Sequence, residues 1–358
     1  MKAALIGLGQ AGGRVAEAIR DADRRADHDA VRGVLAVNTA SADLQGLDVD
    51  TMAIGQDRVS GHGVGADNEL AASIMQADVG EVLAGLDGIV TPETEAVVLV
   101  AGLGGGTGSG GAPVLAKELR RIYDVPVYGL GILPGRDEGA IYLQNAAQSL
   151  QTVARETDSL LLVDNDAWRQ TGESVADSFG TINERIARRL DLVLAAGEAR
   201  EGVGESVVDS SEVINTLQQG SMAAIGYAVA DAAPDPAENI NVITSTARRA
   251  LLTDMSVPET TSAEAALVIV AGEPERLSRK GVERARKWIE EETGSMLVRG
   301  GDFPVPGEQI AVVVVLSGIA DSTRLQSFME RAREASEAVD PGPDRKHAFQ
   351  NDDLENLF

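Results

Sequence analysis

Seven consecutive small residues, "GGGTGSG" (104–110), constrain the fold of this chain more than any other stretch. They follow an apolar, strand-like run at 95–104 and precede a predicted helix at 112–123, with Pro113 near its start, where proline is tolerated. Backbone N–H groups of such a turn, together with the helix N-terminus, can bind phosphates. Tight packing alone explains so many small residues poorly. The string is not a Walker A loop, because no G-K-[ST] occurs and Lys117 lies too far along the helix.

A second glycine loop opens the chain. Gly7, Gly9 and Gly12 have the spacing G-x-G-x-x-G, between a strand-like run at 2–8 and a predicted amphipathic helix at 13–26. This is the pattern of a dinucleotide-binding loop. The loop therefore raises the alternative of an NAD(P)-dependent oxidoreductase.

The residue expected to bind the ribose of NAD is missing. It should be an acid at the end of the second predicted strand (31–38), but that strand ends in Val37-Asn38-Thr39. Two glycine loops at neighbouring strand ends are better suited to a nucleoside triphosphate held by backbone dipoles and Mg²⁺. We assign no side chain as a metal ligand.

Strand-like and helix-like segments alternate through the first half, which predicts a parallel α/β sheet covered by helices on both faces. A long helix is expected at 175–198, followed by strands at 264–272 and 309–318 and a helix at 322–339. The predicted fold is a Rossmann-like parallel-sheet domain joined by a long central helix to a smaller α+β domain. The predicted divisions are a nucleotide-binding domain (1–175), the central helix (175–199), a C-terminal domain (200–339) and a disordered acidic tail (340–358).

The composition restricts the function classes. There are 56 acidic residues against 31 basic ones, for a net charge of −25. Such a surface repels phosphate backbones and anionic lipids, so we expect neither a nucleic-acid partner nor membrane insertion. With no cysteine and three histidines, disulfides are impossible and Cys/His zinc sites are effectively excluded. We expect a cytoplasmic protein, and scarce lysine beside abundant acids favours a cytoplasm at molar salt over an ordinary acidic surface.

Several motifs occur in the order found in the tubulin/FtsZ superfamily, and this resemblance covers residues 1 to about 339. "GGGTGSG" matches the family's phosphate loop. "GQAGGR" (9–14), "AVNTASADL" (36–44) and "GHGVGADNE" (61–69) resemble its other phosphate loops. The resemblance implies GTP or GDP as the bound nucleotide, with Mg²⁺. The phosphate contacts that it implies fall on Gln10, Ala11, Gly12, Gly13, Arg14, Asn38, Gly65, Ala66, Gly104, Gly105, Gly106, Thr107, Gly108, Ser109 and Gly110. We expect a Cβ at Gly106 or Gly108 to occupy space that a phosphate needs.

Three further segments resemble the family's ribose and base contacts. "PGRDEG" (134–139) implies that Glu138 binds the ribose, although Tyr142 stands where FtsZ has a basic residue. "DND" (164–166) and "FGTINE" (179–184) match the segments that contact guanine. Asn165 offers an amide to the base. Phe179 and Asn183 are four residues apart on a predicted helix and share a face, so one can stack on the base while the other bonds its edge. Packing of Phe179 in the core is the alternative.

The family completes hydrolysis with acids from a neighbouring subunit, in the pattern N-x-D-x-x-[D/E]. Here "VVDSSE" (207–212) places Asp209 and Glu212 at the acidic positions, with Val207 in place of the asparagine. The resemblance implies that these carboxylates are catalytic. The same residues, with Ser210, could instead cap a helix beginning "SEVINTLQQ".

A site shared between subunits implies a head-to-tail homopolymer. The acidic, cysteine-free chain most resembles the CetZ group of haloarchaea, whose implied role is control of cell shape. A GTP-binding regulator that does not polymerise is the alternative within the family. The segment "HAFQNDDLENLF" after 340 is either disordered or a docking segment for a protein partner.

Overall fold

The computed structural model describes residues 1–168, 175–196, 208–260, 262–319 and 322–338. The strands are β1 (Ala3–Leu8), β2 (Val31–Asn38), β3 (Asp50–Ala53), β4 (Ala96–Gly102), β5 (Val127–Leu133), β6 (Ser159–Asp164), β7 (Met222–Asp231), β8 (Ala265–Gly272), β9 (Leu297–Pro304) and β10 (Gln309–Ser317). The helices are α1 (Gly9–Ala26), α2 (Ser41–Leu44), α3 (Gln56–Val59), α4 (Asn68–Ala84), α5 (Gly106–Ile122), α6 (Ala140–Glu156), α7 (Val175–Ala196), α8 (Ser210–Leu217), α9 (Asn239–Leu252), α10 (Arg279–Thr293) and α11 (Thr323–Ala338). A short 3₁₀ helix, Asn165–Ala167, follows β6.

The strands form one sheet in the order β3-β2-β1-β4-β5-β6-β7-β10-β8-β9. Pairing is parallel from β3 to β7 and between β8 and β9, whereas β10 runs antiparallel to β7 and β8. The two parts of the sheet are linked by two parallel residue pairs, Leu160 with Met222 and Leu161 with Ala223. This confirms the predicted α/β architecture with an α+β C-terminal part.

Apolar side chains fill both faces of the sheet, because fully apolar parallel strands bury both of their faces. One core cluster includes Leu99 and Val127, and the other includes Val98 and Tyr128 from the same two strands. The central helix α7 packs on α1 and contributes Ile186 to the second cluster. The carboxyl ends of β1, β2, β4, β5 and β6 consequently meet at one rigid edge.

The structure corrects the predicted helix starts. α1 begins at Gly9 instead of residue 13, and α5 begins at Gly106 instead of residue 112, so glycines of both loops form first helical turns. Pro113 is therefore inside α5 and not near its start. The sequence pattern predicted no strand at the positions of β3, β6, β7 or β9. β9 was not predicted because its glycines and charged residues (LVRGGDFP) interrupt the apolar pattern.

Some predictions fall on residues outside the described ranges. They concern the end of the predicted central helix after Ala196, the loop that includes Val207, and the tail from 340 to 358. Within the described ranges, no helix combines the length and hydropathy needed to cross a bilayer.

Candidate functional site

Two helix N-termini lie side by side where β1 and β4 end. α1 follows β1 directly and α5 follows β4 after three residues, and the two strands are paired in parallel. The helices approach so closely that a Cβ built on Gly9 would lie 3.3 Å from the amide nitrogen of Gly108. The first N–H groups of a helix have no partner within it and carry partial positive charge. Two such ends together make a site for a polyanion.

The glycines of the string serve two different purposes. A Cβ on Gly106 would lie 2.5 Å from the Gly65 carbonyl oxygen, one on Gly108 would lie 2.5 Å from that of Gly102, and one on Gly110 would lie 2.0 Å from that of Asn68. These glycines are required by close packing of the protein on itself. The expectation that a Cβ at Gly106 or Gly108 would fill phosphate space is therefore wrong.

Gly105 differs from its neighbours because a Cβ built there meets no atom within 4 Å. It is the N-cap residue of α5, in extended conformation. The Ser109 hydroxyl donates back to the Gly106 carbonyl at 3.2 Å and to that of Gly105, within the first turn of α5. Gly105 therefore faces the open space that a ligand of the helix end would occupy.

A buried polar network joins the end of β2 to this turn. The hydroxyl of Thr107 donates to Asn38 Oδ1 at 3.2 Å and lies 2.8 Å from the hydroxyl of Thr39. The Asn38 amide donates to Asp43 at 3.1 Å. Sequence reasoning proposed Asn38 and Thr107 as separate contacts, although they bond each other, and missed Thr39, which bonds Thr107 and is fully buried.

The loop at 61–67 covers the first turn of α5 and is held there by Asn145. The Asn145 amide donates to the Ala66 carbonyl at 2.7 Å and to the Gly104 carbonyl at 3.2 Å. Gly65 has a φ of +59° and open space around its Cβ position. Asn145 was missed by sequence reasoning, and the available signal was a polar residue on the buried face of α6.

Residues of the opening loop divide by burial. Gln10, Ala11 and Arg14 are exposed at the start of α1. Gly12 and Gly13 are buried, and a Cβ on Gly12 would lie 2.2 Å from the Val100 carbonyl oxygen. The exposed residues are therefore available to a ligand, and the two glycines let α1 pack on β4 and β2.

The predicted ribose and base segments follow β5 and β6 at the same edge. Glu138 accepts a hydrogen bond from the Gly135 amide at 2.8 Å, which closes the turn that carries it. Asn165 is buried in the 3₁₀ segment between two acids that form ion pairs. Arg324, from α11, binds Asp164 and lies 2.7 Å from Asp166. Burial lowers the pKa of Arg324, but these two carboxylates outweigh burial and raise it overall.

The aromatic side chains of Phe179 and Tyr142 are open to solvent, whereas Trp168, directly after the 3₁₀ segment, is buried. Phe179 is 44% exposed and Tyr142 is 40% exposed, so the alternative that Phe179 packs in the core is wrong. Asn183 lies one turn after Phe179 on α7 and is half-buried. The aromatic face of Phe179 is therefore free to stack on a base.

The predicted catalytic acids lie at the start of α8. Asp209 is its N-cap, accepting the Glu212 amide at 2.9 Å and the Ser211 hydroxyl at 2.5 Å. These two hydrogen bonds hold the pKa of Asp209 below its ordinary value. The capping role is therefore real, and it leaves the Asp209 carboxylate ionised and exposed.

The acids and the glycine loops occupy opposite edges of the sheet. The hydroxyl of Ser210 donates to Glu95 at 2.8 Å, and Glu95 immediately precedes β4, whereas the glycine string follows β4. The seven residues of β4 span about 23 Å at about 3.3 Å per residue. Asp209 and Glu212 therefore cannot reach a nucleotide bound to their own subunit.

Two family models match successive parts of this chain. Residues 2–173 match the model described as "Tubulin/FtsZ family, GTPase domain". Residues 172–334 match the model described as "Tubulin-like CetZ, C-terminal domain". Together the two matches include the glycine loops and the acids at the start of α8.

Individual relatives extend the similarity over the whole chain. The "Tubulin-like protein CetZ2" of Haloferax volcanii is 60% identical over 360 residues, covering 100% of both chains. The solved structure "CetZ2 from Haloferax volcanii - GTPγS bound protofilament" has a TM-score of 0.91 at 59% identity, covering 95% of this chain and 100% of that chain. "CetZ1 from Haloferax volcanii - GDP bound monomer" has a TM-score of 0.86 at 52% identity, covering 94% and 99%.

Proposed function

This chain belongs to the tubulin/FtsZ family, in its tubulin-like CetZ branch, and on that premise we propose that it is a GTPase whose subunits assemble head to tail into cytoskeletal filaments. One observation carries the proposal: the phosphate loops and the acids lie at opposite edges of one sheet. Stacking the subunits in one direction places the acids of each against the nucleotide of the next. Contacts of this heterologous kind build open filaments.

GTP binds with its phosphates at the paired N-termini of α1 and α5 in this proposal. The Gly105 and Gly65 segments enclose the phosphates, Glu138 contacts the ribose, and Asn165, Phe179 and Asn183 hold guanine. The relatives support this ligand, since one is a GTPγS-bound protofilament and another a GDP-bound monomer.

Mg²⁺ accompanies the phosphates. Two carboxylates on the loop segments could ligate it: Asp43, which accepts from Asn38 at 3.1 Å, and Asp67, which accepts from the Leu70 amide at 2.8 Å. Each retains lone pairs, and Mg²⁺ prefers one or two carboxylates together with phosphate oxygens and water, so these residues fit the ion. The ion supplies neutralisation of phosphate charge when it is bound.

Hydrolysis requires an oriented water, and Asp209 and Glu212 at the start of α8 can orient one. Asp209 is ionised near neutral pH, the more so because its hydrogen bonds lower its pKa, and Glu212 is half-buried beside it on the first turn. A carboxylate that accepts a hydrogen bond from a water molecule orients that water, so that a lone pair of the water oxygen points at the γ-phosphate. Because the acids come from the next subunit, turnover depends on assembly.

The remaining assignments complete the proposal. We propose a cytoplasmic location and control of cell shape as the process. The proposed divisions are the nucleotide-binding domain (1–175), the central helix (175–199), the C-terminal domain (200–339) and the tail (340–358).

The test is Glu212→Ala. The variant should bind GTP and assemble as the parent does, and hydrolysis should fall by a factor of about 10² or more, the scale of losing a positioned acid or base. Filaments should then persist, because GTP at the contacts is no longer hydrolysed. Turnover per subunit is measured against protein concentration at high KCl with Mg²⁺. An unchanged rate would leave Glu212 without a catalytic role.

A mixing experiment tests the sharing of the site. The second subunit is Gly105→Leu, in which a side chain fills the open space at the helix end and the acids are intact. Adding it to Glu212→Ala should restore part of the turnover, because its Glu212 meets GTP held by the other variant. Co-assembly without recovered turnover refutes the shared site. A low rate that is independent of concentration would instead identify a regulator that does not polymerise.

A further inference from the structure

Glu95 connects the acid-bearing helix to the nucleotide-binding half of the sheet. Its Oε1 accepts the Ser210 hydroxyl at 2.8 Å, and its Oε2 accepts the Lys2 amide at 2.8 Å. The Glu95 amide in turn donates to the Lys2 carbonyl at 2.8 Å. Both carboxylate oxygens are therefore engaged, one with α8 and one with the residue before β1.

The other contacts at the start of α8 do not fix its direction in the same way. The Asp209 side chain bonds only to the adjacent Ser211 and Glu212 within the described residues. Val208 and Val213 are buried, and apolar packing of this kind holds a helix in place without directional preference. Ser210 lies between the two valines and beside Asp209, so its hydrogen bond to Glu95 fixes how the first turn is oriented.

Strand β4 lies between Glu95, which binds α8, and the phosphate loop. β4 begins directly after Glu95, and Gly105 follows its far end. The β4 residues from Ala96 to Ala101 are at most 2% exposed, and parallel partners bind the strand on both sides. The separation between the phosphate loop of a subunit and its acids is thus set by a single rigid strand.

We propose that Glu95 is a positioning residue for GTP hydrolysis. Through Ser210 it orients Asp209 and Glu212 toward the γ-phosphate of the next subunit, and it has no contact with the nucleotide of its own subunit. This inference rests on the shared-site function proposed above.

The experiment compares Glu95→Ala and Ser210→Ala with the parent. GTP affinity and the critical concentration for assembly should stay within about 2-fold, because neither nucleotide loop is touched. The kcat of assembled protein at saturating GTP should fall by about 10-fold or more, since small misplacements of catalytic groups are costly. The double variant should be no slower than the slower of the two single variants, because both changes remove the same hydrogen bond between Glu95 and Ser210.

Conservative variants separate positioning from stability. Glu95→Gln offers one oxygen and one N–H₂ group to the same neighbours, and a serine hydroxyl can accept as well as donate, so this variant should hydrolyse GTP at nearly the parent rate. Ser210→Thr keeps the hydroxyl and should do the same. The matched control is Glu93→Ala, which removes an exposed acid that pairs with Lys2 and Arg32 at the same edge without touching α8.

The outcomes are distinguishable from failure of the shared site. A parent kcat in Glu95→Ala or Ser210→Ala overturns the positioning role, while a slow Glu212→Ala in the same assay keeps the shared site. A parent kcat in Glu212→Ala overturns both. Should Glu95→Ala not fold, Ser210→Ala decides the question alone. A slow Glu95→Ala whose turnover recovers on addition of Gly105→Leu places the defect on the acid-donating side and supports the proposal.

Discussion

Single residues in the glycine string have separate tasks that their identity does not reveal. Gly106, Gly108 and Gly110 stand against carbonyl oxygens of the protein, and Gly105 alone of these four faces open space. A substitution at Gly106, Gly108 or Gly110 therefore tests how the protein packs on itself. A substitution at Gly105 tests whether a ligand needs the open space at the helix end. This difference is what makes the mixing partner Gly105→Leu usable.

The prediction for the string compares Gly105→Leu with Gly108→Ala. Gly105→Leu should keep the Tm of the nucleotide-free protein within a few degrees and lose most GTP affinity. Gly108→Ala should lower the Tm, because its methyl group would stand 2.5 Å from the Gly102 carbonyl oxygen. Calorimetry and GTP titration measure both quantities. A destabilised Gly105→Leu with a normal Gly108→Ala would reverse the assignment.

Asn145 is the second residue-scale prediction. Replacement by leucine leaves the Ala66 and Gly104 carbonyls without their donor, and an unsatisfied buried polar group costs about 1–3 kcal/mol. We expect a lower free energy of unfolding and weaker GTP binding, because the loop at 61–67 loses its attachment to the glycine string. Gln148→Leu is the control on the same helix, since among the described residues the Gln148 side chain bonds only to the Asn68 side chain, at an exposed position. Equal GTP affinity in both variants would contradict the role of Asn145.

At the scale of elements, α8 has a cap that is also a proposed catalytic group. Asp209→Asn keeps a side-chain oxygen for the Glu212 amide and removes the charge, whereas Asp209→Ala removes both. Only the alanine variant should lose about 0.5–2 kcal/mol of stability, because asparagine caps as well as aspartate. Both should lose hydrolysis by about 10² or more. Parent turnover in Asp209→Asn would show that Asp209 is a cap alone.

The pH dependence of this element follows from the same hydrogen bonds. The pKa of Asp209 in the folded protein is below its ordinary value of 3.8. Its ionised form therefore stabilises the fold above pH 3.8, and this contribution is lost as the pH falls through the folded-state pKa. The stability advantage of the parent over Asp209→Ala should therefore shrink over that range, as measured by denaturant unfolding at each pH. An advantage that grows on acidification would contradict the lowered pKa.

For the whole molecule, the net charge of −25 sets how assembly responds to salt. Like-charged subunits repel, and the Debye length falls from about 10 Å at 0.1 M to about 3 Å at 1 M salt. The critical concentration for assembly should therefore fall as KCl is raised, and turnover per subunit should rise with it. Sedimentation measures assembly, with Glu212→Ala as the control that assembles without hydrolysis. A critical concentration independent of KCl would contradict this account.

The sequence by itself determined the architecture and the glycine loops. Alternating apolar runs and helical patterns are local signals, as are small residues at strand ends, so the parallel sheet and its phosphate edge were predictable. The tubulin/FtsZ resemblance added GTP as the nucleotide and implied that Asp209 and Glu212 are the catalytic acids, which stays a prediction. The starts of α1 and α5 were not predicted correctly, because nothing in a run of glycines indicates that it forms the first turn of a helix.

Only the tertiary structure decided which residues distant in sequence contact each other. Asn145 holds two loops that precede it by about eighty and forty positions, and Arg324 binds Asp164 across 160 positions. Such pairs depend on the register and stacking of the whole sheet, which no local pattern encodes. The placement of the acids at the end of β4 opposite the glycine string is of the same kind. It depends on the contact between α8 and Glu95 in the assembled sheet, which no local pattern encodes.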